Sequence, residues 1–179
     1  MTISLFSAPF YFLRHGETDL NARRLIAGSL ETDLTELGRS QAREAAEALA
    51  AEPITAIYSS PMRRARDTAA PIAERLKLSV TLIPELAERN WGAAEGQPRG
   101  SRLIGATPEG ADPWPDFTQR VLAGFAQIES AAPLIVGHSG VYRVLCRALK
   151  VVEPERAVGN CLPLRVVPLP EGGWKLASL

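Results

Sequence analysis

The chain has 179 residues, 46% hydrophobic and 22% charged, enough to bury the core of one domain and ordinary for a soluble globular protein. Its 20 basic and 20 acidic side chains cancel, so nothing marks a nucleic-acid or membrane-surface partner, and no apolar run approaches the roughly 20 residues that span a bilayer. Cys146 and Cys161 have neither metal-ligand nor disulfide-framework spacing and are expected as reduced core thiols. The apolar stretch from Met1 to Phe12 lacks the positive region of a signal peptide, so a cytoplasmic location is expected.

In chain order, Phe10 to Leu13 reads as a buried strand that ends in Arg14-His15-Gly16. Asp19 to Asp33 reads as a polar connection. Thr35 can cap a helix that runs to about Ala51, with Leu37, Ala45 and Leu49 on its buried side, and Pro53 stops it. Ile54 to Tyr58 is a short strand. Ser59-Ser60-Pro61 opens a second helix, with serine as cap and proline in the first turn, and Val80 to Ile83 is another strand. Gly92 to Pro115 holds five glycines and four prolines in 24 residues and reads as an irregular excursion. Phe117, Val121, Leu122, Phe125 and Ile128 restore a helical period. Pro133 to Val136 is a strand leading into Gly137-His138-Ser139-Gly140, and Val141 to Leu149 is helical. Arg165 to Leu169 and Trp174 to Ala177 pair as a hairpin across Pro170-Glu171-Gly172-Gly173. Strands alternating with helices predict a three-layer α/β/α sandwich, its central sheet mostly parallel with an antiparallel edge, as a single domain over 1–179.

Three groups carry candidate chemistry. Arg14 and His15 stand at the carboxyl end of a strand, where open α/β sheets place ligands. The guanidinium fork suits phosphate oxygens and a neutral imidazole offers a nitrogen lone pair, and His138, the second of only two histidines, also follows a strand. Arg64 lies near a helix N-terminus, where backbone donors and the dipole favour anions, whereas Arg63 and Arg66 read as solvated. A departing oxygen needs an acid, and spacing does not choose between Glu85, Glu88 and Glu95.

Taken together, Leu13-Arg14-His15-Gly16-Glu17-Thr18, Asn21, Leu34-Thr35-Glu36-Leu37-Gly38, Ser59-Ser60-Pro61-Met62 with Arg64-Ala65, Leu86-Ala87-Glu88, Glu95-Gly96 and Gly137-His138-Ser139-Gly140 resemble the histidine phosphatase superfamily, in its phosphoglycerate mutase-like, cofactor-independent phosphatase branch. The resemblance implies His15 as a nucleophile that forms a transient phosphohistidine. It implies Arg14, Arg64 and His138 around the phosphate, Asn21 as a further contact, and Glu88 as the acid that protonates the leaving alcohol and then activates water. It also implies a phosphate-ester substrate, with neither metal nor cofactor.

The chain departs from that pattern between Glu95-Gly96 and Pro108-Glu109-Gly110, where only Gln97 to Thr107 stands in place of a longer helical lid. Arg99 and Arg102 in this short lid can reach an anionic substrate or face solvent, and Trp91 and Trp114 are expected to pack in or near it. A phosphomonoesterase is therefore the leading expectation. A mutase, which must retain its intermediate under a lid, and a binding module without turnover are the alternatives.

Overall fold

β1 (Phe10–Arg14) is buried along its whole length because it sits inside the sheet and is covered on both faces. In this computed structural model, which describes residues 7–101, 107–151 and 158–179, the sheet also contains β2 (Ala56–Ser59), β3 (Val80–Leu82), β4 (Pro133–Gly137), β5 (Leu164–Pro168) and β6 (Trp174–Ser178). The strand order is β3-β2-β4-β1-β5-β6. The first four strands of that order run parallel, while β5 pairs antiparallel with β1 and β6 antiparallel with β5.

Alternation along β1 divides the core. Phe10 and Phe12 face a cluster with Phe117, Val121 and Phe125 of α4 (Trp114–Ala126) and Val144 and Leu145 of α5 (Ser139–Ala148). Tyr11 and Leu13 face the other side, packed with Ala42, Ala45 and Leu49 of α2 (Glu36–Leu49) and Ala65, Ala69 and Ile72 of α3 (Arg63–Leu76). Helices cover both faces, so the three-layer expectation holds. Cys146 and Cys161 are free and buried in different clusters, one on each face.

Local expectations were corrected at four places. The connection after β1 contains a one-turn helix, α1 (Asp19–Ala22), capped by Thr18, whose hydroxyl accepts from Asn21 N at 3.3 Å. Leu37 is 54% exposed, because it lies in the first turn of α2 beyond the edge of the packed alanines. The helix expected from Ser59-Ser60-Pro61 starts at Arg63, with Met62 at the cap and no side-chain capping bond. α4 begins at Trp114, ahead of Phe117, with Pro115 in its first turn, where a missing N–H costs nothing.

The irregular excursion closes on itself. Ala93 N donates to Glu109 O at 2.8 Å, and Trp91 bridges Ala111. Gly92 has φ +52°, and a Cβ there would stand 2.1 Å from Glu109 O. Gly96 N donates to Ile26 O and Ile26 N donates to Gln97 O, so the excursion is laced to the loop after α1. Arg102 lies outside the described residues, as do Met1 to Phe6. No helix among the described residues is long and apolar enough to cross a membrane.

Candidate active site

β1 and β4 are neighbours in register, with Arg14 opposite Gly137, so the residue after each strand lands at one place. His15 N donates to Gly137 O at 3.0 Å, and the His15 and His138 ring centroids are 5.2 Å apart. Nδ1 of His15 lies 2.7 Å from its neighbour's carbonyl, Gly16 O. A carbonyl only accepts, so Nδ1 carries the proton and the neutral ring keeps its lone pair on Nε2. His15 is 4% exposed and lines an open cleft. Burial, followed by the charges of Arg64 and Arg14, holds its pKa well below the ordinary 6.5.

Gly16 is fixed from two sides. Its N–H donates to Thr68 Oγ1 at 2.9 Å, and Thr68 in turn donates to Arg64 O at 2.7 Å. A Cβ at Gly16 would stand 2.5 Å from Gly38 O, and one at Gly38 would stand 2.1 Å from Glu17 O. The Arg14-His15-Gly16 turn and the Thr35-Glu36-Leu37-Gly38 helix start therefore form a single backbone contact that only glycine permits. Thr35 caps α2 through Gly38 N at 3.0 Å and also donates to Glu17 Oε1 at 2.9 Å.

Two buried guanidinium groups line the same cleft as His15. Arg14 donates through Nη1 to Val158 O at 2.8 Å. Burial, then the charge of Arg99, lowers its pKa to about 10, against an opposing pull from Glu88. Arg64, 1% exposed in the first turn of α3, donates through Nη1 to Leu30 O and through Nη2 to Gly28 O, each at 2.8 Å. The Nε of each arginine is buried without a protein partner among the described residues. Arg63, by contrast, pairs at the surface with Asp33 at 2.9 Å.

The loop that receives Arg64 is itself held by Glu95. That carboxylate accepts from Ser29 N at 2.6 Å, from Ser29 Oγ at 2.9 Å and from Trp91 N at 2.9 Å. Gly28, with φ +53°, leaves space for it, since a Cβ there would meet Glu95 Oε1 at 2.1 Å. Of the three candidate acids, Glu95 is thus a clamp, and Glu85 is not part of the cleft wall. Glu88 is the carboxylate that lines the cleft among the described residues.

Glu88 is seated by backbone. Oε1 accepts from Arg89 N at 2.9 Å and Oε2 from Gly140 N at 3.0 Å, at the start of α5. A Cβ on Gly140 would stand 2.1 Å from Oε1, so the glycine of Gly137-His138-Ser139-Gly140 is the seat of this carboxylate. From behind, Arg120 of α4 donates to the carbonyls of Glu85, Ala87 and Glu88 at 3.0, 2.9 and 3.3 Å.

His138 is placed differently from the other candidates. It is fully buried beside His15 and is not part of the cleft wall. Its Nε2 lies 2.7 Å from Ser60 Oγ, and its Nδ1 is buried without a partner. Asn21 lines the cleft, and its Oδ1 accepts from Asn160 Nδ2 at 3.2 Å. The same Asn160 amide donates to His15 O at 2.8 Å. Further out, Trp91 and Trp114 line the cleft on either side of Arg89, whose guanidinium carbon lies 4.3 and 5.7 Å from their ring centroids. Arg99 also lines the cleft.

A sequence model of the histidine phosphatase superfamily (branch 1) matches residues 10–178. The chain belongs to that superfamily. It is 32% identical over 161 residues to an uncharacterized phosphatase, PhoE, of Bacillus subtilis, covering 84% of this chain and 83% of the relative. It is 34% identical over 162 residues to the glucosyl-3-phosphoglycerate phosphatase of Mycobacterium tuberculosis, covering 76% and 73%. A solved mycobacterial glucosyl-3-phosphoglycerate phosphatase complexed with VO3 superposes with a TM-score of 0.78 at 29% identity, over 95% of this chain and 97% of that one.

Sequence reasoning passed over the residues that orient this histidine phosphatase site. Thr68 had a usable signal, a polar residue on the face of α3 that otherwise shows Ala65, Ala69 and Ile72 to the core. Ser60 was read as a helix cap and instead contacts His138. Asn160 had none, since Gly159-Asn160 is ordinary turn chemistry.

Proposed function

We propose that the chain hydrolyses small phosphate monoesters by passing the phosphoryl group to Nε2 of His15 and then to water. The observation that carries this reading is the His15 ring, whose own neighbour's carbonyl commits Nδ1 as donor and leaves the Nε2 lone pair beside two buried arginines. The lone pair attacks phosphorus as the ester P–O bond breaks. Arg14 and Arg64 offset the charge on the nonbridging oxygens, and Glu88 in its protonated form delivers its proton to the departing alkoxide. In the second half-reaction Glu88 takes a proton from water, the oxygen attacks phosphorus, and His15 leaves with its lone pair restored. Asn21 and His138 complete the set, Asn21 at the wall and His138 beneath the nucleophile. The activities named for the relatives support the same reaction class on a small phosphorylated molecule.

The test uses purified protein with no added metal, an aryl phosphate and a panel of metabolite phosphates. Wild-type hydrolysis should survive EDTA and vanish in His15→Ala. Binding of phosphate esters without turnover at any pH would overturn the reading in favour of a binding module. Glu88→Gln should slow alkyl esters roughly 100-fold or more and aryl esters far less, because only a poor leaving group needs the proton. Equal slowing of both would remove Glu88 from the acid role.

A further inference from the structure

Ser60 sits in the turn between β2 and α3, fully buried, and its hydroxyl makes two bonds among the described residues. Met62 N donates to it at 3.3 Å, and His138 Nε2 lies 2.7 Å away. The second contact has two possible directions. If Nε2 carried the proton and donated, the serine proton would have no acceptor, and the buried Nδ1 would hold a lone pair with no donor. If the serine donates instead, its proton and one lone pair are used, Nε2 is satisfied as acceptor, and a single group stays unpaired, the Nδ1–H. A dry interior favours one unpaired group over two.

We infer that Ser60 is a positioning residue that fixes His138 as the neutral Nδ1–H tautomer, so that its one unpartnered group, on the ring packed beside His15, is a hydrogen-bond donor left for the phosphoryl group when His15 carries it. The role rests on the phosphotransfer reading above; the tautomer does not. The donor is neutral by construction. Burial and the charges of Arg64 and Arg14 oppose protonation of His138, so its N–H must come from a tautomer choice and not from an imidazolium. The charges that oppose protonation come from three elements, Arg14 from β1, Arg64 from α3 and Arg120 from α4, while Glu88 is held at the start of α5 by Gly140 N. Ser60 supplies what those charges leave undecided, which of the two nitrogens bears the single proton.

The direct test is long-range ¹H–¹⁵N correlation on ¹⁵N-histidine-labelled full-length protein near neutral pH. With only two histidines, a His15→Gln sample assigns the spectrum. Expected is a protonated, pyrrole-like Nδ1 and a pyridine-like Nε2 at His138. A pyridine-like Nδ1, or an imidazolium, overturns the inference without any variant of Ser60. Ser60→Ala should mix the tautomers and lower kcat on an aryl phosphate roughly tenfold or more with little change in KM, and Ser60→Thr should restore both. An unchanged kcat in Ser60→Ala removes the positioning role. If the expected tautomer is seen in a protein that hydrolyses no ester, the hydrolase reading falls and the tautomer assignment stands.

Discussion

At His15 burial and the nearby cations keep the ring neutral against the opposing pull of Gly16 O, while the bond from Nδ1 to that carbonyl leaves Nε2 as the free base. The pH dependence follows. Because the folded pKa is lowered, kcat/KM on an aryl phosphate should not fall as the pH drops through 6.5, and the acid limb should begin clearly below it. An acid limb centred at 6.5 would mean that His15 titrates as if solvated. This residue was legible early, since a strand followed by Arg-His-Gly already implies a cation, a base and a tight turn at one point. The candidate acid was legible from the family resemblance but not from spacing, because Glu85, Glu88 and Glu95 are all polar residues outside the main helices and strands, and the structure separates them when α5 offers Gly140 N to Glu88. Arg64 was legible as a site residue, but the carbonyls of Gly28 and Leu30 that aim it come from a loop far away in sequence.

Individual elements make further demands. α5 must begin with a glycine at its second position, because Glu88 occupies the space of a Cβ there. Gly140→Ala should therefore displace the carboxylate and reproduce the selectivity of Glu88→Gln, with alkyl esters slowed roughly tenfold more than aryl esters. α2 meets the His15 turn through Gly38, where a Cβ would strike Glu17 O at 2.1 Å. Gly38→Ala should cost about 1–3 kcal/mol by displacement of backbone, read as a lower urea midpoint with unchanged slope. Helix and strand identities followed from period and turn chemistry, and the terminal hairpin shows why: Pro168 pairs with Trp174 around a turn whose Gly172 and Gly173 both have positive φ. Helix starts were less legible. Serines before α3 look like caps in sequence, yet Ser60 is drawn away by a tertiary bond to His138, a partner 78 residues distant.

Across the whole molecule the site costs stability in acid. Both histidines have folded pKa values well below 6.5, whereas the unfolded chain takes up protons near that value. Between 6.5 and the lowered values the unfolded state binds more protons, so the stability is intact above 6.5 and declines as the pH falls beneath it. The urea midpoint should drop between about pH 7 and about pH 5, before most carboxylates titrate, and a His15→Gln, His138→Gln double variant should flatten that drop. A pH-independent wild-type midpoint in this window would contradict it. The layered architecture was the most legible feature of all, because strands alternating with helices already imply a mostly parallel sheet covered on both faces, and the structure sends Phe10 and Phe12 to one face and Tyr11 and Leu13 to the other.

The bond from His15 Nδ1 to a neutral carbonyl has a consequence for how long a phosphoenzyme lives. On the proposed reading, a ring phosphorylated on Nε2 while Nδ1 keeps its proton is formally cationic, and among the described residues no carboxylate accepts from Nδ1 to offset that charge. Arg14 and Arg64 would hold the phosphoryl oxygens while opposing positive charge on the ring itself. The opposition that makes the free ring a ready base makes it a ready leaving group in the adduct, quick to discharge to water. If His15 carries the phosphoryl group as proposed, the site favours throughput over keeping a phosphoryl mark, and a brief pulse of labelled ester should leave little label on the protein at steady state.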